Sequence, residues 1–178
     1  LDSRDPSANF IERTKSVRNL ETDASNVERL NRWTAAWKMF LEKPHTGFGP
    51  GTYQYTYIPF QEQKFENHLT VKNPDNPPPG SGGSAHSEIM LQLSENGWPS
   101  TALFVFLVLR WIIIGLQKLQ TKNHVLIACW LGLLTYLFHM QFNNFLNTDA
   151  FAFLFWTFGA GIDLSIYQTR KNEQPILQ

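Results

Sequence analysis

Residues 98–166 read WPSTALFVFLVLRWIIIGLQKLQTKNHVLIACWLGLLTYLFHMQFNNFLNTDAFAFLFWTFGAGIDLSI, and in that stretch only Arg110, Lys118, Lys122, Asp149 and Asp163 carry a formal charge. Three apolar segments follow one another there, Trp98–Gln117, Val125–Phe142 and Ala150–Ile166. Each is close to the ~20 residues that an α-helix needs to cross a ~30 Å hydrocarbon layer. Three near-spanning segments separated by polar connections predict a transmembrane region over residues 98–178 rather than core helices of a soluble protein. Lys118 and Lys122 occupy the first connection and Arg170 and Lys171 follow the third segment, whereas Gln141–Asp149 has no basic residue. Basic residues stay on the cytoplasmic side, so this pattern puts residues 1–97 outside and the tail after residue 166 inside. Arg110 is tolerated inside a span in two ways, by snorkelling to the cytoplasmic face or by pairing within a helix bundle. Asp163, near the inner end of the third segment, reads as interfacial or bundle-facing.

Ahead of Trp98 the 178-residue chain is of another kind, charged, rich in Pro and Gly, and punctuated by turns. With 15 Lys and Arg against 15 Asp and Glu, and no basic stripe interleaved with aromatics, it lacks the electrostatic footprint of a nucleic-acid-binding protein. Cys129 is its only cysteine, which excludes an intrachain disulfide and a zinc cluster built on several thiolates. The chain opens on Leu1 with a polar stretch and no apolar signal segment, and is expected to be a piece of something longer.

The polar region divides by its turn signals. Residues 1–24 are weakly patterned and read as loop, with a short helix around Phe10 to Val17. Ser25 and Glu28 stand at capping-box spacing. Val27, Leu30, Trp33 (or Thr34), Trp37 and Leu41 then recur at helical intervals, which predicts an amphipathic helix from about Asn26 to Lys43. Pro44 stops it, and Gly47-Phe48-Gly49-Pro50-Gly51 places glycines where the backbone needs positive φ or close approach to another group. Tyr53, Tyr55, Tyr57 and Phe60 follow in a short aromatic stretch. NPDNPPPGSGG at 73–83 is a semi-stiff, then flexible loop. Ser84 reads as the N-cap of a helix that carries His86 in its first turn and stops at Gly97.

Candidate chemistry gathers around that helix start. Free amides and the positive dipole end favour a bound anion and bias His86 toward the neutral form that accepts a proton. A lone His at a helix start is nevertheless more often a surface or capping residue. Arg32 lies on the amphipathic helix with Arg29 and Ala36, next to the Trp33 and Trp37 stripe, and its guanidinium can clamp a diphosphate or be salt-bridged near Glu28. Trp33 and Trp37 suit packing, sugar stacking and the membrane interface alike. Gly47–Gly51 lacks the Lys-Ser/Thr ending of a phosphate loop, which argues against nucleotide binding. His139, Asn143, Asn144, Asn147 and Asp149 form a polar cluster at the outer end of the second span, where they can line the same outer cavity as His86 or, almost as well, simply cap helix ends.

The order of Asn31-Arg32-Trp33, Pro44 with Gly47-Phe48-Gly49-Pro50-Gly51, Ser84-Ala85-His86-Ser87-Glu88, Ser94-Glu95-Asn96-Gly97-Trp98 and Phe142–Asp149 resembles the O-antigen ligase and Wzy-type polymerase family over about residues 26–166. The resemblance implies an all-α membrane protein, with a mainly helical extracytoplasmic (periplasmic) region at 1–97 followed by three transmembrane helices in the bacterial inner membrane. It also implies an inverting, metal-independent glycosyltransferase without a cofactor, which moves a glycan from an undecaprenyl-diphosphate carrier to an acceptor hydroxyl. The acceptor would be lipid A-core, as in a ligase, or another repeat unit, as in a polymerase. A protein O-oligosaccharyltransferase, or a non-catalytic glycan-binding envelope protein, is the competing reading. On that analogy His86 and Arg32 are the catalytic residues, and Arg29, Trp33, Ser84, Ser87, Gly47, Gly49, Asn143 and Asn144 surround the substrate; no residue is expected to ligate a metal. Ser87 stands where many relatives have Asn, and the family's further upstream periplasmic Arg falls outside this chain.

Overall fold

The computed structural model describes residues 23–79, 81, 83–120 and 123–173, with the side chains of 169, 170, 172 and 173 excepted. The helix expected around Phe10 to Val17, and Lys122, lie outside the described residues. Every regular element among the described residues is helical.

The first helix, α1, spans Ala24–Glu42, and its cap is Asp23 rather than Ser25. The Asp23 carboxylate accepts from the backbone amides of Ser25 and Asn26 at 2.9 and 3.4 Å. Glu28 does not close a capping box, because its carboxylate is drawn sideways into an ion pair with Arg32. The buried face is also not the expected one. Glu28, Asn31, Arg32, Ala35, Ala36 and Met39 are buried, while Trp37 and Leu41 of the apolar stripe are 46% and 59% exposed. The helix therefore buries Glu28, Asn31 and Arg32 along with Ala35, Ala36 and Met39 and shows Trp37 and Leu41 outward, an arrangement suited to the membrane interface or to an apolar partner.

A short helix, α2 (Tyr53–Thr56), and two 3₁₀ turns at Ile58–Phe60 and Gln63–Phe65 wrap α1. Asn31 ties them down: its Oδ1 accepts from Glu62 N at 2.8 Å and its Nδ2 donates to Gln61 Oε1 at 3.2 Å. Ala35, Ala36, Met39, Tyr53, Tyr57, Val71, Ala85 and Leu91 make the core of this region.

Helix α3 (Glu88–Gln117) is broken at Gly97, which has φ 73° and ψ 177°, so the expected stop is a kink between two helical pieces. Beyond it α4 (His124–His139) returns the chain, and α5 (Asp149–Glu173) runs out again. A second core joins them around Trp111, Trp130, Leu133, Tyr136, Phe155 and Ile162. Gly115 accepts the Trp130 indole and Gly159 the Trp111 ring, the small-against-large packing of apolar helices. Arg110 pairs with Asp163 at 2.6 Å, and Trp111 Nε1 donates to the other Asp163 oxygen at 3.1 Å, so the Arg of this apolar segment is neutralised by a carboxylate of the neighbouring helix.

Two helices are long and apolar enough to cross a membrane, Glu88–Gln117 and the Asp149–Gln168 part of α5. In each only 22% of the apolar window is buried, too little for the core helix of a soluble protein. Leu103, Phe106, Phe138 and Phe153, all about 70% exposed, face outward from the three helices. The middle segment falls short: α4 has 16 residues rather than the expected Val125–Phe142, a rise of about 24 Å against a ~30 Å layer. It ends at His139 because Gln141, Asn143 and Asn144 begin a polar turn that docks on the start of α3, where Glu88 N donates to Met140 O at 3.1 Å.

Candidate functional site

The buried side of α1 carries the centre of the site. Arg32 is 0% exposed and its Nε donates to Glu28 Oε1 at 2.9 Å. Glu28 Oε2 in turn accepts from Thr70 Oγ1 at 3.0 Å. Desolvating a guanidinium and a carboxylate is expensive, and this pair is stable because hydrogen bonds from several directions complete it. Tyr57 lies under the guanidinium, with the Arg32 Cζ 5.8 Å from its ring centroid, and stacks on Tyr53 at 4.8 Å. Tyr53 fixes the helix backbone by donating from its hydroxyl to Arg32 O at 2.9 Å. Burial pushes both tyrosines up, Tyr57 to about 12, so they remain protonated.

Arg32 Nη1 reaches across to the segment ahead of α3. It donates to Ser84 O at 2.8 Å and meets His86 Nε2 at 3.3 Å. A guanidinium only donates, so Nε2 is the acceptor and the neutral imidazole carries its proton on Nδ1. Burial, then the charges of Arg32 and Arg29, lower His86 to about 4. The neutral ring expected from the helix-start argument is present, but its causes are desolvation and two cations.

His86 itself is not in a helical turn. The N-cap of α3 is Ser87, whose side chain makes no capping bond, and His86 precedes it in a left-handed conformation at φ 50°. The Ser84 hydroxyl is diverted from capping to Asn144, where it donates to Oδ1 at 2.6 Å, and it also accepts from His86 N at 3.3 Å. A non-glycine residue at positive φ costs on the order of 1 kcal/mol or more. Here the strained residue stands beside the Arg, held by Ser84 on one side and by buried Ser87 and Glu88 on the other.

Glu88, 1% exposed, faces the polar turn after α4, and burial raises its carboxyl to about 7 against the pull of the Leu146 backbone and the Asn144 side chain. Asn144, one member of the expected polar cluster, thus bridges the His86 segment to the end of α4.

Gly47 and Gly49, expected near substrate, serve the turn. Pro99 has no N–H for Glu95 O, and the kink at Gly97 turns Trp98 N away from Ser94 O, so α3 leaves two carbonyls open. Gly49 N donates to Glu95 O at 2.8 Å and Phe48 N to Ser94 O at 3.0 Å, while Trp98 N donates to Pro44 O at 2.8 Å. A side chain at Gly47 would strike the Glu95 backbone, and a Cβ at Gly97 would lie 2.5 Å from the His45 carbonyl carbon. Glu95, 7% exposed, closes the unit by accepting from Gly51 N at 3.0 Å and Tyr53 N at 2.9 Å.

Of the residues expected at the site, Arg32, His86, Ser84 and Asn144 form one connected network. Arg29 acts on His86 through its charge, and Ser87 is buried at the α3 start. Trp33 and Asn143 make no bond within that network. Sequence reasoning offered Glu28 as the ion-pair partner of Arg32, as the structure has it, and missed Tyr57, Glu88 and Glu95. The last two stood inside the quoted His86 and Gly97 motifs, and acidic residues flanking a candidate base were the available signal.

A family model described as O-Antigen ligase matches residues 6–105, more than half of the chain. No curated protein and no solved structure matches.

Proposed function

The chain belongs to the O-antigen ligase family, and on that premise we propose that it carries the reacting centre of an inverting membrane glycosyltransferase. The donor is a glycan on an undecaprenyl diphosphate and the acceptor a hydroxyl of lipid A-core or another glycan. Residues 1–97 face the periplasm of a multi-pass inner-membrane protein, and Lys118 and the end of α5 lie on the cytoplasmic side. The observation that carries the reading is the 3.3 Å contact between Arg32 Nη1 and His86 Nε2, two residues 54 positions apart in sequence.

In this reading the acceptor hydroxyl takes the place of Arg32 Nη1 at the His86 Nε2 lone pair, a long contact that yields easily. His86 then removes the hydroxyl proton as the oxygen attacks the anomeric carbon, and the diphosphate leaves from the opposite face. Without substrate His86 is a weak base because burial, and then two nearby cations, oppose its protonation. A bound diphosphate offsets those charges and raises its basicity when the reaction needs it. Arg32, engaged by Glu28 and Ser84, acts as a positioning and electrostatic residue rather than as an open diphosphate clamp. Arg29, only partly buried, is the cation nearer to solvent.

The test is His86→Ala in the full-length protein, with glycan transfer and membrane abundance measured together. Transfer is expected to be lost at unchanged abundance, and retained transfer would overturn the reading. The acceptor is decided by a deletion strain. Loss of ligation leaves carrier-linked polymer, loss of polymerisation leaves single repeats, and loss of protein glycosylation leaves lipopolysaccharide intact.

A further inference from the structure

Ser84 belongs to a second feature besides the Arg32 and His86 pair. It borders a cleft of about 410 Å³ that also meets Gln54, Asn147, Gly51, Gly83 and Glu95. That volume lies within the ~300–1,000 Å³ range of small-molecule sites.

The chemistry of the walls narrows the occupant. Among the described residues no Lys, Arg or His lines the cleft, so none of them neutralises a diphosphate there; the cations of this region, Arg29 and Arg32, act on His86. Glu95 is the carboxylate in the wall, and both of its oxygens already accept backbone amides, from Gly51 and Tyr53. Leu91 and Tyr53 are 3% and 1% exposed and offer little apolar surface to a polyprenyl tail. What remains available is amide and hydroxyl. Gln54 and Asn147 are exposed, and each presents a carbonyl oxygen and an NH₂ group side by side, the pattern that matches neighbouring hydroxyls of a sugar ring. Gly83 keeps this wall open, because a Cβ there would lie 2.7 Å from Gln54 Cβ and push that side chain away.

We propose that this cleft is a sugar-binding subsite, in which Gln54 and Asn147 hold an uncharged pyranose beside His86 and set which glycan is accepted. The inference rests on the glycosyltransferase reading above. Cationic and neutral subsites divide at Ser84, so one substrate places its charge by Arg29 and its ring by Gln54.

The experiment uses full-length protein in lipid nanodiscs with Cys129→Ala and Gly51→Cys, which puts an exposed thiol in the cleft wall and leaves Gln54 and Asn147 intact, and follows alkylation of position 51 by N-ethylmaleimide. The probes are oligosaccharides released from the host cell's own surface glycan and, separately, inorganic pyrophosphate. The oligosaccharides are expected to slow alkylation at least about fivefold by occupying the cleft, and pyrophosphate to leave it unchanged. In transfer assays, Gln54→Ala and Asn147→Ala are each expected to raise KM for the saccharide about tenfold, with kcat changed much less. Protection by pyrophosphate alone, or unaltered KM in both variants at normal abundance, overturns the subsite. His86→Ala separates the two ideas. Lost transfer with intact oligosaccharide protection supports both, whereas protection in a wild-type protein that does not transfer overturns the glycosyltransferase reading and leaves a sugar-binding cleft.

Discussion

Glu28 and Arg32, one turn apart on α1, form an ion pair whose side chains are only 5% and 1% exposed, and Arg32 uses its remaining reach to hold Ser84 and His86. Removing one member strands the other charge in the interior, at a cost of ~3–5 kcal/mol. Arg32→Ala is therefore expected to lose both transfer and membrane abundance. Arg32→Met combined with Glu28→Gln should recover much of the abundance and none of the transfer. Arg32→Lys should remain poor, because a point charge cannot serve Glu28, Ser84 and His86 in one plane. Immunoblotting of membranes beside a transfer assay checks each variant.

Titration gives a second expectation. His86 falls from its ordinary 6.5 to about 4 and Glu88 rises from 4.5 to about 7. For His86 the unfolded chain binds more protons between those values, so its contribution to stability is lost as pH falls from about 6.5 to about 4. For Glu88 the folded chain binds more protons, so its contribution is lost as pH rises from about 4.5 to about 7. The two slopes oppose each other, and Glu88→Gln should uncover the His86 slope. Its melting temperature in detergent should rise with pH across that window more steeply than wild type; an unchanged slope would refute the assignment.

Gly97→Ala tests the kink. At φ 73° and ψ 177° a side chain is strained, at a cost of ~1–3 kcal/mol before any clash with the His45 carbonyl. Lower thermal stability and loss of transfer are expected together, whereas Gly51→Ala, with positive φ but nothing within 4 Å of its Cβ, should cost strain alone.

The polar face of α1 shows where sequence reasoning stopped. Glu28, Asn31 and Arg32 look solvated from spacing alone, and their burial depends on Thr70, Gln61 and Ser84, partners at separations of 30 to 52 positions that no local pattern reveals. His86 was misplaced for the same reason, since the Ser84 hydroxyl that would cap a helix bonds Asn144, 60 positions away. The apolar helices, the Gly97 break and the glycine turn were legible because they follow from hydropathy and backbone chemistry within a few residues. The meeting of Arg32 with His86 was legible only through the order of the motifs.

Arg110 and Asp163 supply a test within the apolar helices. Asp163→Ala leaves a cation among apolar side chains, at ~2.5–3.5 kcal/mol. Reduced membrane abundance is expected, and adding Arg110→Leu should restore part of it; no recovery would mean that the pair does more than neutralise charge.

Topology is checked by cysteine labelling. Asn76→Cys should react with an impermeant maleimide added to cells with a permeabilised outer membrane, and Gln120→Cys only after the inner membrane is opened. Reaction of both from one side would refute the assignment of residues 1–97 to the periplasm.

The three backbone hydrogen bonds between the 44–49 turn and the 94–98 kink have a mechanical consequence. Straightening α3 would break all three, so they oppose its use as a hinge. On the proposed topology, the apolar half of α3 and the head built on α1 would then tilt together. A bilayer that thickens or thins then cannot be accommodated by flexing that joint. On that topology it would tip the head instead, and shift the height of His86 above the bilayer.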